Sequence, residues 1–257
     1  MSTLQKFFII FCFTNSVAQA DINNGLIGYY PFNGNANDES GNGHHGVVNG
    51  ASLTSDRFSH LNSAYSFDGL NDHISLLENN RVNSIRTGAI TLVAWVNLRQ
   101  AFQAHNRFLS FKKDCNDTRV VSLIGTDNGG ERIFGFGING GQETGIGNGN
   151  SATSSVTYEY DRWYFVVGMR NQLGRMKIYV DNILVGENVG NSIDLGGSLS
   201  CNNIGRISGE YFHGIIDDVR IYNRVLTHSE IQQIYFEGDN LNRSNMLFEF
   251  AEIINEI

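Results

Sequence analysis

The chain has 257 residues, with 18 Lys and Arg against 26 Asp and Glu, a formal charge of −8, and only 17% charged residues. An acidic chain of this kind cannot neutralise a run of phosphates, which argues against a nucleic-acid partner, and its 41% hydrophobic content excludes disorder. No heptad repeat supports a coiled coil, and the length fits one large all-β or α/β domain.

Residues 1–20 read as a secretory signal. Lys6 precedes the apolar run Phe7–Phe13, and Ala18-Gln19-Ala20 supplies the small residues of a cleavage site. The run is about half the ~20 residues a membrane span needs, so no transmembrane anchor is expected. The expected address is secreted, either extracellular or periplasmic, with a main domain over 21–240 and a tail over 241–257. Outside the signal two cysteines remain, Cys115 and Cys201. In an oxidising compartment an even pair predicts one disulfide, and two separate buried thiols are the alternative.

From residue 24 onward the pattern is short β-rich runs punctuated by Asn-Gly, at Asn24, Asn33, Asn42, Asn49, Asn128, Asn139 and Asn148. Both residues tolerate positive φ and so favour tight turns. The predicted strands are 26–32, 65–67, 73–77, 90–98, 107–111, 119–124, 132–138, 163–169, 176–180 and 215–222. Several alternate by two: Met176, Ile178 and Val180 point one way, Arg175, Lys177 and Tyr179 the other. Such repetition with almost no helix indicates a two-sheet β-sandwich or jelly roll.

Two late helices complete the pattern. Thr227-His228-Ser229-Glu230 is a capping box opening a helix that runs to about 237. Met246, Leu247, Phe250, Ile253 and Ile254 keep helical spacing in the tail. Trp95 and Trp163 sit in apolar runs and are expected inside the core, which leaves ligand contacts to exposed loops such as 102–106, 139–150 and 210–213.

Blocks in order along the chain carry a family resemblance. They are Gly25-Leu26-Ile27-Gly28-Tyr29-Tyr30-Pro31-Phe32-Asn33-Gly34, Ser63-Ala64-Tyr65-Ser66-Phe67-Asp68-Gly69, Ile90–Val96, Arg162–Val167 with Ile178-Tyr179-Val180-Asp181, and Phe212–Thr227. In this order the chain resembles the laminin-G-like, concanavalin A-like lectin/glucanase domain, the pentraxin-like jelly roll of secreted bacterial proteins. Asn182 departs from the glycine usual after the Tyr-Val-Asp of that hairpin, and it remains an acceptable turn residue. The resemblance implies two antiparallel sheets packed face to face. It does not imply one activity, because the fold hosts lectins, adhesion modules and hydrolases.

The chemistry of a retaining glycanase needs two carboxylates about 5–5.5 Å apart. The single-strand Glu-x-Asp-x-x-Glu of the glucanase branch is missing, and Glu159-Tyr160-Asp161 runs into Arg162-Trp163-Tyr164. His44-His45 has no carboxylate at metal-ligand spacing and reads as a surface turn rather than a zinc site.

One constellation points to a calcium ion. Asn33, Asn35, Asn37, Asp38, Glu39 and Asn42 crowd a glycine-broken loop, and calcium takes six to eight hard oxygens. If 26–32 pairs antiparallel with 215–222, the loop meets Asp217-Asp218, two adjacent acids in apolar surroundings that need compensation. The expected ligands are Asn33, Asp38, Asn42, Asp217 and Asp218, and structural calcium is common in the family resembled. Arg220, Arg224 or loop amides are the alternative compensation. The functional expectation is a secreted, non-catalytic recognition module for carbohydrate or cell-surface adhesion, stabilised by calcium. Its partner would be an extracellular or cell-surface glycan, or a protein. The alternatives are a glycan hydrolase or lyase on the same fold, or a protein-interaction domain.

Overall fold

The computed structural model describes residues 21–76, 84–85, 88–100, 105–116, 120–128, 131–139, 150–190 and 198–238. The signal over 1–20, residues 102–104 and 140–149 of the expected contact loops, and the helical tail expected over 246–254 lie outside them. In chain order the strands are β1 (Leu26–Tyr30), β2 (Gly46–Asn49), β3 (Ser52–Thr54), β4 (Ala64–Asp68), β5 (His73–Leu76) and β6 (Ile90–Leu98). Next come β7 (His105–Lys112), β8 (Val120–Asn128), β9 (Glu131–Asn139), β10 (Ser151–Thr157), β11 (Trp163–Arg170) and β12 (Arg175–Val180). The last are β13 (Ile183–Val189), β14 (Cys201–Ile204), β15 (Arg206–Ile207), β16 (Glu210–Tyr211) and β17 (His213–Tyr222), followed by α1 (His228–Tyr235).

Two antiparallel sheets form the expected sandwich. The first has the order β13-β12-β11-β6-β17-β4-β3, with β1 also on β17; the second has the order β10-β9-β8-β7-β14-β5-β2. The alternation read from sequence places Met176, Ile178 and Val180 between the sheets, with Phe108, Phe134 and Phe136 from the opposite side. Two glycines let the layers close. A Cβ on Gly168 of β11 would stand 2.4 Å from the Phe136 ring of β9, and one on Gly186 of β13 would stand 1.9 Å from the Thr153 carbonyl of β10. The edge strands of the two sheets therefore meet backbone to backbone.

A second apolar cluster lies on the outer face of the first sheet. Val93, Trp95, Phe165, Val167 and Tyr179 pack there beneath Ile231 and Ile234 of α1. Trp95 is buried as expected, but in this outer cluster rather than between the sheets, stacked on Tyr235 with ring centroids 5.5 Å apart. Trp163 is only partly buried against the same cluster. The capping box forms as read: the Thr227 hydroxyl accepts from the Glu230 amide at 3.3 Å, and Glu230 Oε2 accepts from the Thr227 amide at 2.7 Å. Arg224 holds the same carboxylate with two nitrogens, at 2.6 and 2.9 Å.

The predicted disulfide is present between Cys115 and Cys201, with Cα atoms 5.1 Å apart. Its geometry follows from the second sheet, where Cys201 opens β14 directly opposite Lys112 of β7. Cys115 lies three residues beyond Lys112, in the turn that leaves β7.

Candidate functional site

β1 pairs antiparallel with β17, from Leu26 opposite Tyr222 to Tyr30 opposite Val219. β4 pairs with the other half of the same strand, from His213 opposite Asp68 to Ile216 opposite Tyr65. Two strands thus share one edge of β17, and the handover falls at Asp217-Asp218. Across the other edge the ladder with β6 slips, from Asp217 opposite Trp95 to Arg220 opposite Val93. The extra residue makes a bulge, and Asp218 takes the left-handed conformation at φ 46°.

The gap left between β1 and β4 is a cleft of about 190 Å³. Tyr29, Pro31 and Asn33 line it from β1 and its exit, Asp217 and Asp218 from the bulge, and Glu237 and Gly238 from the end of α1. The fourth wall is the loop before β4, with Asp56, Arg57, Phe58, His60 and Ser63. That loop is tied by its own carboxylate. Asp56 Oδ1 accepts from the Phe58 and His60 amides, both at 2.8 Å, and Oδ2 lies 2.9 Å from His60 Nδ1. Phe32, Ser59, Asn62 and Asp218 all adopt positive φ around the cleft. Asn62 and Asp218 accept that conformation readily, but for Phe32 and Ser59 it is costly, so the surrounding structure holds strained backbone here.

Arg57 is the centre of the site. Its side chain is 7% exposed, and Nη1 donates to Asp217 Oδ2 at 2.7 Å and to Asp218 Oδ2 at 2.8 Å. Nη2 donates to the Glu237 carbonyl at 3.1 Å. The guanidinium carbon lies 4.4 Å from the ring centroids of both Phe58 and Trp95, a cation–π arrangement with each. Asp218 Oδ1 also accepts from the Tyr29 hydroxyl at 3.2 Å. Burial and the neighbouring Asp218 carboxylate push the Asp217 carboxyl up to about 8, against the pull of Arg57. Burial, with the Asp218 charge second, likewise raises the Tyr29 hydroxyl.

The five residues expected around calcium separate into two groups. Asn33, Asp217 and Asp218 line the cleft together. Asp38 turns the other way and anchors its own loop: Oδ1 accepts from the Tyr29 and Ser40 amides at 3.0 and 2.9 Å, and Oδ2 accepts from the His44 amide at 2.9 Å. Burial raises the Asp38 carboxyl, but the Ser40 side chain and these amides outweigh it and hold it below the usual carboxylate value. Asn42 spends its amide nitrogen on the Leu26 carbonyl and Ser40 Oγ. The pairing of first and last strands is as expected; the convergence of all five residues is not found. The compensating arginine is neither of the two anticipated, since Arg220 binds Glu237 and Arg224 binds Glu230.

These residues do not fit a calcium ion. The cleft acids are already bonded to a guanidinium, a second cation beside it would be repelled, and Asp38 has its oxygens engaged by amides. Among the described residues no group of three or more His, Cys, Asp or Glu side chains is arranged to hold a metal. His44-His45 forms part of the Asp38 loop, where His45 Nδ1 accepts from the Asp38 amide at 3.1 Å. Asp161 sits in a turn at φ 59°, its amide bonded to the Leu98 carbonyl, which agrees with its reading as a turn residue.

Sequence reasoning missed Arg57, Asp56 and Glu237. The only local signal was the polar Ser55-Asp56-Arg57 run between two strands, and nothing in it names partners 160 residues away.

Residues 67–232, a span that includes β17 and the start of α1, match the family model described as the concanavalin A-like lectin/glucanases superfamily. The chain belongs to this superfamily. Its sandwich is similar to domain 4 of AbnA, a GH43 extracellular arabinanase from Geobacillus stearothermophilus, solved in complex with arabinotriose. The TM-score is 0.63 at 17% identity, over 82% of this chain and 98% of that one. The receptor-binding domain of botulinum neurotoxin C/D mosaic serotype gives a TM-score of 0.62 at 17% identity, over 85% of this chain and 52% of that one. Trypanosoma rangeli sialidase in complex with sialic acid gives 0.60 at 15% identity, over 84% and 33%. The chain therefore spans about half of the toxin domain and a third of the sialidase. At these identities the likeness shows the superfamily fold. A comparison with curated proteins returned no match. Among the described residues no helix is long and apolar enough to cross a membrane.

Proposed function

We propose that this chain is a non-catalytic recognition module that acts outside the cell and binds glycans, with the cleft over the β17 bulge as its sugar subsite. The observation that carries this reading is the composition of the cleft wall. Tyr29 and Phe58 line it together with Asn33, His60 and Ser63, so aromatic rings and hydrogen-bonding groups share one cleft. A sugar presents the same combination, an apolar C–H face with hydroxyls at its rim. Asp56 and Asp218 outweigh Arg57 in the lining, with Asp217 holding its proton and Glu237 already paired with Arg220, which favours neutral sugars over sialylated or uronic ones. Recognition is favoured over hydrolysis because Asp217 and Asp218 share one arginine nitrogen. The guanidinium holds both acids as one ion-paired group, which competes with proton transfer or attack by either. Superfamily membership supports the reading, as does the sugar-bound state of the similar arabinanase domain.

The test is a glycan array probed with the purified chain, followed by titration calorimetry and product analysis on each hit. Binding of neutral glycans without turnover is expected, weakened about tenfold or more by Asn33→Ala or His60→Ala. Product formation would make the module an enzyme. Silence across the array would refute glycan binding and direct the search to protein partners.

A further inference from the structure

We infer that Arg57 is the built-in cation of the junction between the first and last strands, doing through its guanidinium what a structural divalent ion would otherwise do there. The inference goes beyond glycan recognition and does not depend on it.

Three observations converge on this role. Asp217 and Asp218 lie on a bulge whose positive-φ residue, Asp218, brings both carboxylates to the same nitrogen, at 2.7 and 2.8 Å. The guanidinium is held from several directions at once: a ring on each of Phe58 and Trp95, the Glu237 carbonyl, and the two acids. Finally, Arg57 belongs to the loop before β4, its acids to β17 and the carbonyl to the end of α1. One side chain therefore ties three elements where two strands stop short on a shared edge. A planar, permanently charged fork suits this better than a lysine, whose ammonium is a point charge and does not stack in the same way. The consequence is a cleft floor that does not depend on dissolved calcium, so chelators leave the module folded.

The decisive experiment is a charge cycle read by thermal melting of the full chain. Arg57→Met keeps most of the stem and removes the charge; Asp217→Asn with Asp218→Asn keeps the shape of the acids and removes theirs. Removing only the arginine leaves the acid pair without its counter-charge and buried Asp217 without its donor, so Arg57→Met should melt well below wild type. The triple variant should melt above Arg57→Met, because the uncompensated charge is gone. If Arg57→Met does not fold and the triple variant does, the result is the same. Losses that simply add, or a triple variant that fails with the single one, would show that Arg57 acts by packing and overturn the inference.

A second arm uses calcium itself. Metal-stripped and calcium-loaded wild type should melt at the same temperature. A calcium-dependent rise that disappears in Asp217→Asn would put a divalent ion at the junction and overturn the assignment. Glycan binding is not read in either arm, so failure of the glycan reading leaves the outcome intact.

Discussion

Asp38→Asn isolates the energetic role of the loop after β1. Three amides point at this carboxylate: Tyr29 and Ser40 at Oδ1, and the buried His44 at Oδ2. An asparagine has one oxygen and one NH₂ group in their place. In its least costly orientation it keeps the first two bonds and sets a donor against the His44 amide. One orphaned buried donor costs roughly 1–3 kcal/mol. The two bonds that remain lose their charge assistance, which about halves their strength. Together the loss is about 3 kcal/mol. At about 2–4 °C per kcal/mol for a domain of this size, the melting temperature should fall by about 6–12 °C at neutral pH. The pH dependence has a definite sign. A carboxyl held below its ordinary value of 3.8 in the folded state stabilises above that value and loses its contribution as pH falls through the folded one. The gap between variant and wild type should therefore narrow in acid. Melting followed by circular dichroism across a pH series checks both points. Equal melting temperatures at neutral pH would refute the amide-anchor account. A calcium-dependent shift lost in Asp38→Asn would replace that account with a metal ligand.

Two further outcomes are expected. Reducing the Cys115–Cys201 bridge, or replacing both residues with Ser, releases a loop of 86 residues. On the chain-entropy model this should cost about 4–5 kcal/mol. The melting temperature should drop by on the order of 10 °C, and no response to reductant would show that the bridge does not form. Asp217, facing Asp218, Arg57 and Asp56, has a carboxyl raised to about 8, so the folded chain keeps a proton that the unfolded chain releases. Stability should therefore fall as pH rises from about 4 to about 8, and Asp217→Asn should flatten that window; an unchanged slope in the variant would assign the dependence elsewhere.

The sequence determined what depends on neighbours along the chain. Period-two alternation set the inner face of β12, and Thr227 with Glu230 set the start of α1. Asn-Gly turns came with glycines at positive φ, as at Gly25, Gly34, Gly43 and Gly50. Asp217-Asp218 announced from composition alone that two acids in apolar company need a partner. Strands without such a pattern stayed hidden: β10 reads Ser-Ala-Thr-Ser-Ser-Val-Thr, and β14 buries Asn202 and Asn203 along with its apolar residues. Tertiary structure decided the rest, because a charge pairs with what the fold brings within 3 Å and not with what lies near it in sequence. Asp38 looked like an oxygen donor and proved to be an acceptor already used by amides of its own loop. Arg57 carried no sign in the sequence of the partners it would meet. It became the counter-charge of the last strand only because β1 and β4 end on opposite sides of one bulge and leave a gap that its loop fills.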